Sequence, residues 1–247
     1  MSLRVASIWR HPIKAIGREE VAEVTLAEGQ TLPGDRLWAV AHEASKAVDG
    51  EWARCMNFLR GASTPALQAV NLKTEGAMLH LSHPARPAIA VDPASDGAAL
   101  VDWLQPLVGE GRAQPVRLVP APAGRGMTDT GEASITLAST ASHAAVETAA
   151  GQPLSRLRWR CNLWIEGAEA WQEFDWIGRT IRLGEAEAEI YKRIDRCMMT
   201  TANPETGERD VPMLDILDGF GHRDFSVGIR ITRGGTLRAG DLLEVLP

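Results

Sequence analysis

Short hydrophobic segments, several of which alternate with polar residues, recur along the chain and predict β-strands. Alternation with a period of two places every second side chain on the same face of a strand. The segments are residues 3–10, 21–26, 37–41, 67–73, 78–82, 88–91, 158–165, 180–183, 186–190, 225–233 and 242–246. Glycine and proline turn signals separate most of them. Many short strands with turns between them favour a sheet or barrel over βαβ repeats, so we predict a mostly β fold with some α.

A smaller part of the chain carries helical signals. The predicted helices span residues 98–108, 142–150 and 211–217. Ser139 or Thr140 can cap the second of them, and Gly151 can end it. Residues 119–133 are rich in proline, glycine and small side chains, and they predict a linker or mobile loop between two parts of the chain.

Charge and hydropathy restrict the classes of partner. The chain has 247 residues and a formal net charge of −6, whereas a general nucleic-acid binder is usually basic. The first ten residues hold no long apolar run, and no later segment reaches the roughly 18 apolar residues of a membrane span. We therefore expect a cytoplasmic protein with neither a nucleic-acid partner nor a membrane partner.

The three cysteines, Cys55, Cys161 and Cys197, are too far apart for a Cys-x-x-Cys site, and an odd number does not suit a disulfide framework. Cys197 differs from the other two because cations surround it in sequence, and cations favour the reactive thiolate. These cations are Lys192, Arg193 and Arg196. A reactive thiol and a buried structural cysteine both remain open for Cys197, and the structural role is favoured for Cys55 and Cys161.

Alternating arginines precede one of the predicted strands. Arg156, Arg158, Arg160 and Asn162 share one face if the strand begins early enough. Guanidinium groups on one face repel each other unless an anion or acidic side chains neutralise them, and guanidinium binds phosphate with two hydrogen bonds. The pattern slightly favours an anion site over a solvated face with acidic partners.

Two further cations lie beside predicted turns. Lys14 follows the first strand in the segment His-Pro-Ile-Lys, and Arg36 precedes a strand in Gly-Asp-Arg. Each can place a positive charge at a binding site, but most such side chains are simply solvated.

Taken together, these segments resemble the MOSC family, named for the C-terminal domain of molybdenum cofactor sulfurase. The family includes the mitochondrial amidoxime reducing components and their bacterial relatives. The most specific match is Arg-Cys-Met-Met-Thr-Thr-Ala-Asn-Pro-Glu-Thr-Gly at residues 196–207. Weaker matches lie at residues 11–14, 34–40, 158–162 and 235–241, so the resemblance covers nearly the whole chain.

The resemblance implies a fold and a cofactor. A smaller N-terminal β-barrel or α+β domain is expected at residues 1–122 and a β-barrel-based MOSC domain at residues 123–247. The implied cofactor is molybdopterin with molybdenum, and Cys197 is the implied metal ligand and catalytic residue. The implied cofactor-binding residues are Lys14, Arg36, Ser142, Arg158, Arg160, Asn162 and Thr200. Pyridoxal phosphate binding is associated with the family as a whole only.

The implied activity is the reduction of N-hydroxylated or related N-oxygenated small molecules, with electrons from a separate electron-transfer protein. Two alternatives remain open. Cys197 can instead carry a persulfide, which makes the protein a sulfur carrier or cofactor-delivery module. The chain can also be a relative that has lost its cofactor, because Ala15 replaces a frequent serine, Cys161 a usual proline and Asn203 a usual aspartate.

Overall fold

The computed structural model describes residues 2–247, and β-strands dominate their secondary structure. The strands are β1 (Arg4–Arg10), β2 (Glu19–Val21), β3 (Glu23–Leu26), β4 (Trp38–His42), β5 (Asn71–Glu75), β6 (Met78–His83), β7 (Arg86–Val91), β8 (Pro115–Pro120), β9 (Ile135–Ser139), β10 (Leu163–Glu166), β11 (Thr180–Leu183), β12 (Ala186–Asp195), β13 (Asp224–Arg233), β14 (Gly235–Arg238) and β15 (Leu243–Val245). The prediction of a mostly β fold with some α is confirmed.

Three α-helices and several 3-10 helices connect the strands. The α-helices are α1 (Gly97–Leu104), α2 (Thr140–Ala150) and α3 (Met213–Asp218). The 3-10 helices are Cys55–Asn57, Pro65–Ala69, Gln105–Leu107, Arg156–Trp159, Gln172–Trp176 and Met198–Thr201. Ser139 caps α2 by accepting a hydrogen bond from the backbone N–H of Ala141, and Gly151 ends the helix in the left-handed conformation, both as predicted.

An eight-stranded sheet forms the centre of the fold, with the strand order β15-β11-β12-β13-β9-β10-β1-β2. Its neighbouring strands are antiparallel except for β9 and β10. A parallel pair needs a crossover connection, and α2 lies in that connection. β1 pairs with β10, and β3 pairs with β14, so strands from the start of the chain complete sheets built by its later residues.

The alternation of side chains on β12 explains how this sheet builds its core. Ala186, Ala188 and Ile190 are completely buried, whereas Glu187 and Glu189 between them are partly exposed. The three buried residues belong to a hydrophobic cluster with residues of β9, β11 and β13. Full burial of one such aliphatic side chain stabilises the fold by roughly 1.5–3 kcal/mol. A second cluster packs α1 against β5–β7 in the first half of the chain.

Several parts of the sequence fold differently from the prediction. β8, β9 and β14 were not predicted; a glycine- and proline-rich stretch precedes β9, and paired glycines mark β14 as a turn. The predicted strand at residues 67–73 begins only at Asn71, after the 3-10 helix Pro65–Ala69. The predicted strand at residues 158–165 is wrong at its start. Residues Arg156–Trp159 form a 3-10 helix, and the strand β10 begins only at Leu163.

The division into residues 1–122 and 123–247 stays a prediction. In residues 2–247, no helix combines the length and the hydrophobicity needed to cross a membrane.

Candidate functional site

A cavity of about 340 Å³ lies where loops of the first half of the chain meet the large sheet. Its walls come from the turns after β1 and before β4, the loop around the 3-10 helix Cys55–Asn57, the loop before β9, and the segments before β10 and after β12. The volume lies within the range that small-molecule sites usually show.

The cavity brings together most of the residues that the resemblance implied. Lys14, Arg36, Arg158, Arg160, Asn162, Cys197 and Thr200 all line it. Ser142 does not. Its hydroxyl donates to the carboxylate of Glu173 at 2.8 and 2.9 Å and accepts from the backbone N–H of Trp171, so its hydrogen bonds are made inside the protein. The structure therefore places the predicted binding residue Ser142 away from the cavity.

Three buried or mostly buried cations form one wall of the cavity. Lys14 is 5% exposed, and its ammonium donates to the backbone oxygen of Met127 at 2.8 Å and to the carboxylate of Asp129. Arg36 pairs with Asp35. Arg160 donates to the backbone oxygens of Gly17 and Ile13 and makes no ion pair with a carboxylate among residues 2–247. We call Lys14, Arg36 and Arg160 the cation cluster.

The cation cluster carries more positive charge than its surroundings neutralise. Burial lowers the pKa of Arg160 well below its usual value, and the nearby guanidinium groups of Arg36 and Arg18 lower it further. Burial also lowers the pKa of Lys14. Both shifts have the direction expected where buried cations lack a full set of counter-charges. The wall is therefore suited to bind an anion.

A buried histidine and aspartate support Arg36 from behind. Asp35 is completely buried and accepts from the backbone N–H of His11 at 2.8 Å and from its ring Nδ1 at 3.0 Å. Burial alone raises the pKa of this carboxyl group, but Arg36 and His11 hold it well below its usual value. Burial lowers the pKa of His11 to about 3, and Arg160 contributes to the shift. His11 is therefore neutral and Asp35 ionised at neutral pH.

Left-handed backbone conformations concentrate at this wall. Ala15, Arg36 and Arg160 have φ angles of +63°, +52° and +51°, although none of them is glycine. Such conformations cost of order 1–3 kcal/mol each and persist only where the surrounding structure enforces them. Here they turn two arginine side chains and the backbone beside Lys14 toward the same cavity.

Arg158 lines the cavity and also pairs with an acidic residue of the chain, and its predicted role in cofactor binding stays a prediction. Its guanidinium makes two hydrogen bonds to the carboxylate of Asp210, at 2.8 and 2.7 Å, and Asp210 also accepts from Asn203. Gln68 donates to the backbone oxygen of Arg158. Arg156 faces another side, over the ring of Trp164. The prediction that Arg156, Arg158 and Arg160 share one strand face is wrong, because a 3-10 helix and a left-handed residue separate their directions.

The Arg158–Asp210 pair anchors the loop that follows Cys197, so we expect Asp210→Ala to destabilise the protein. Arg158 is 3% exposed and would lose the one carboxylate partner that it has among residues 2–247, whereas Asp210 is 35% exposed. Breaking a buried pair costs about 3–5 kcal/mol, and partial exposure reduces the expected loss to about 2–3 kcal/mol. Urea unfolding measures it. Asp218→Ala, which removes the exposed partner of Arg223, serves as control. Equal losses in both variants would contradict the role of the pair.

Cys197 is exposed and lies two residues after the end of β12, immediately before the 3-10 helix Met198–Thr201. Its backbone oxygen accepts hydrogen bonds from the N–H of Thr200 at 3.2 Å and from the Thr200 hydroxyl at 3.0 Å. Thr200 thus fixes the backbone that presents the thiol. Within residues 2–247, no group of three or more His, Cys, Asp or Glu side chains is arranged to hold a metal ion.

Arg196 directly precedes Cys197, and its guanidinium makes several hydrogen bonds within the protein. Its guanidinium donates to the backbone oxygens of Phe225 and Trp159, to the hydroxyl of Ser226 at 2.7 Å and to the sulfur of Cys161 at 3.1 Å. The cation next to Cys197 in sequence therefore braces the loop. Among the three cations predicted to surround the thiol, Lys192 and Arg196 line the cavity.

Asn162 lines the cavity, and its side-chain amide is hydrogen-bonded to other residues of the protein. Its Oδ1 accepts from the backbone N–H and the hydroxyl of Thr136, and its Nδ2 donates to the backbone oxygen of Trp9. Cys55 and Asp129 also line the cavity, although the sequence did not predict either of them. Cys55 begins a short 3-10 helix and Asp129 lies in a loop, and no hydrophobic period or specific motif marks either residue.

The comparisons with known proteins agree with this architecture. The model of the MOSC N-terminal β-barrel domain matches residues 2–106, and the MOSC domain model matches residues 116–244. No curated protein sequence is significantly similar to this chain.

Of two solved structures that align with this chain at low sequence identity, the first shows a similar fold. The crystal structure of the YuaD protein from Bacillus subtilis aligns over 99% of this chain and 96% of that chain, with a TM-score of 0.51 and 12% identity. YiiM from Geobacillus stearothermophilus aligns over 46% of this chain and 54% of that chain, with a TM-score of 0.35 and 15% identity. Identity this low is informative for the fold alone. Since the two family models together span nearly all of its residues, the chain belongs to the MOSC family, with a MOSC N-terminal β-barrel domain followed by a MOSC domain.

Proposed function

We propose that the cavity binds a molybdenum cofactor and that the protein is a molybdenum-dependent oxidoreductase. Its substrates are N-hydroxylated or related N-oxygenated small molecules, and a separate protein supplies the electrons. The observation that supports the proposal most is that one cavity carries both surplus buried positive charge and an exposed thiol.

The residues of the cavity suit the two chemically different parts of such a cofactor. A molybdopterin carries a terminal phosphate, and the cation cluster offers charge and hydrogen-bond donors to a dianion. Among residues 2–247, the hydrogen-bond acceptors of the Arg160 guanidinium are backbone oxygens, so a phosphate would supply a directly bound counter-charge. The other part is a metal that prefers a soft donor, and the thiolate of Cys197 is such a donor.

The protein contributes binding and positioning to the reaction. Lys14, Arg36 and Arg160 would hold the phosphate, and Cys197 would hold the metal, with Thr200 fixing the backbone that presents the thiolate. The bound cofactor would supply two-electron redox chemistry and remove the oxygen of the N–O bond. For an N-hydroxylated amine, the overall change takes up two electrons and two protons and yields the amine and water.

A second candidate function uses the same thiol without a metal. Cys197 is exposed, and an exposed thiolate can carry a persulfide for transfer to another protein. The two functions differ in what the purified protein carries.

Metal analysis of freshly purified protein, produced in a host that makes the cofactor, tests the proposal. We expect stoichiometric molybdenum and the fluorescence of an oxidised pterin after denaturation. Protein that lacks both would contradict the proposed function. In that case, mass spectrometry that finds a persulfide on Cys197 supports the sulfur carrier, and a free thiol counts against it.

A further inference from the structure

One loop supplies both hydrogen-bond acceptors of the ammonium group of Lys14. The backbone oxygen of Met127 accepts at 2.8 Å, and the carboxylate of Asp129 forms the ion pair. Lys14 belongs to the cation cluster, so the carboxylate of Asp129 lies where an anionic ligand of this cluster would bind. Asp129 is thus an internal anion at the edge of an anion site.

The two ends of this contact differ sharply in their exposure. Lys14 is 5% exposed, whereas the side chain of Asp129 is 77% exposed. Among residues 2–247, Lys14 is the one hydrogen-bond partner of the Asp129 carboxylate. An exposed side chain changes rotamer within picoseconds to nanoseconds. A rotation about its side-chain bonds therefore suffices to turn this carboxylate into solvent.

The backbone around Asp129 is held in place, so the loop itself need not move. Met127 is completely buried, and its N–H donates to the backbone oxygen of Arg36 at 2.8 Å. Thr128 accepts from the indole of Trp52 at its backbone oxygen, and its hydroxyl bonds to residues further along the loop. The anchored backbone returns the carboxylate to Lys14 whenever no other anion is there.

We propose that Asp129 is a built-in competitor for the anion site, which a phosphate dianion displaces and a simple carboxylate does not. A carboxylate ligand would merely replace one monoanion by another on Lys14. A phosphate dianion brings a second charge, and it can also reach Arg160, which donates to backbone oxygens and forms no ion pair with a carboxylate among residues 2–247. Asp129 thereby sets the selectivity of the site for phosphate monoesters. This inference rests on the anion-binding part of the proposed function and is independent of the metal.

Calorimetric titration of the full chain with inorganic phosphate and with acetate tests the inference. The protein is produced in a host that cannot make the molybdenum cofactor, so that the site is free for the probes. Asp129→Asn keeps the shape of the side chain and removes its charge. The matched control is Glu132→Gln in the same loop, because Glu132 pairs with Arg230 at 3.0 Å and does not line the cavity.

We expect Asp129→Asn to bind phosphate about tenfold more tightly than the unmodified protein and to gain measurable acetate binding, with Glu132→Gln unchanged. Adding Lys14→Gln to Asp129→Asn should remove the gain. Unchanged or weaker phosphate binding by Asp129→Asn overturns the inference, as does an equal gain in the control or the absence of phosphate binding in every variant. If phosphate binding follows this pattern but the protein from a host that makes the cofactor contains no molybdenum, the inference about Asp129 is supported and the proposed cofactor is contradicted.

Discussion

Cys197→Ala is expected to remove both molybdenum and reductase activity while leaving the fold intact. In the proposed site the thiolate is the soft donor to the metal, and the fold loses little because the side chain is exposed. Loss of a group that merely orients a metal ligand typically costs about 10- to 100-fold in affinity or activity. Loss of the ligand itself should therefore lower activity by well over about 100-fold. Metal analysis, turnover of an N-hydroxylated amidine and a thermal unfolding curve measure the three quantities.

Cys55→Ala is the matched control, because Cys55 is a free cysteine that lines the same cavity. It should keep its molybdenum and most of its activity. Full molybdenum content and full activity in Cys197→Ala would contradict the metal-ligand role. Equal losses in both cysteine variants would mean that the cavity responds to any change of its lining, and they would remove the special role of Cys197.

Mild acid is expected to destabilise the protein through His11. Burial lowers the pKa of this side chain to about 3 in the folded state, whereas an unfolded histidine titrates near 6.5. The contribution of His11 to stability is therefore complete above about pH 6.5 and is lost progressively as the pH falls toward 3. Between pH 7.5 and pH 5, His11 takes up a proton in the unfolded chain but not in the folded protein. The free energy of unfolding should therefore fall by about 2 kcal/mol over this range because of His11 alone.

Urea unfolding across this pH range, compared with His11→Asn, isolates that contribution. The asparagine amide can still donate to Asp35 but does not titrate. Burial also lowers the pKa of His83 and His143, so both proteins should lose some stability in acid. The difference between them belongs to His11. If the two proteins lose stability in parallel from pH 7.5 to pH 5, His11 is not the source.

Sequence patterns predicted the features that depend on local interactions. The strands near the chain ends and the α2 helix follow from hydrophobic periods and from the capping residue Ser139, which act over a few neighbouring residues. The family resemblance implied Lys14, Arg36, Arg160 and Cys197, and the structure places all four on one cavity. Their functional roles stay predictions.

Features that depend on contacts between residues far apart in the chain could not be predicted from the sequence. The alternation around Arg158 matches a strand, but Asp210 and the left-handed conformation of Arg160 impose a 3-10 helix instead. Asp129 approaches Lys14 across 115 residues of sequence, and nothing in its own neighbourhood marks that contact. The periodicity of hydrophobic residues indicates which side chains of one helix or strand are buried. It does not indicate which loops contact each other in the folded protein.

The pairing of β1 with β10 affects how the chain folds during its synthesis on the ribosome. Strand β1 ends at Arg10, and its partner begins at Leu163. At synthesis rates of about 5–20 residues per second, roughly 8–30 seconds separate the emergence of the two strands. Lys14 follows the first strand and Arg160 precedes the second, so the cation cluster is assembled late. A chain interrupted before residue 160 would lack the β10 partner of β1, although β2 could still pair with it, and it would lack Arg160 of the cation cluster.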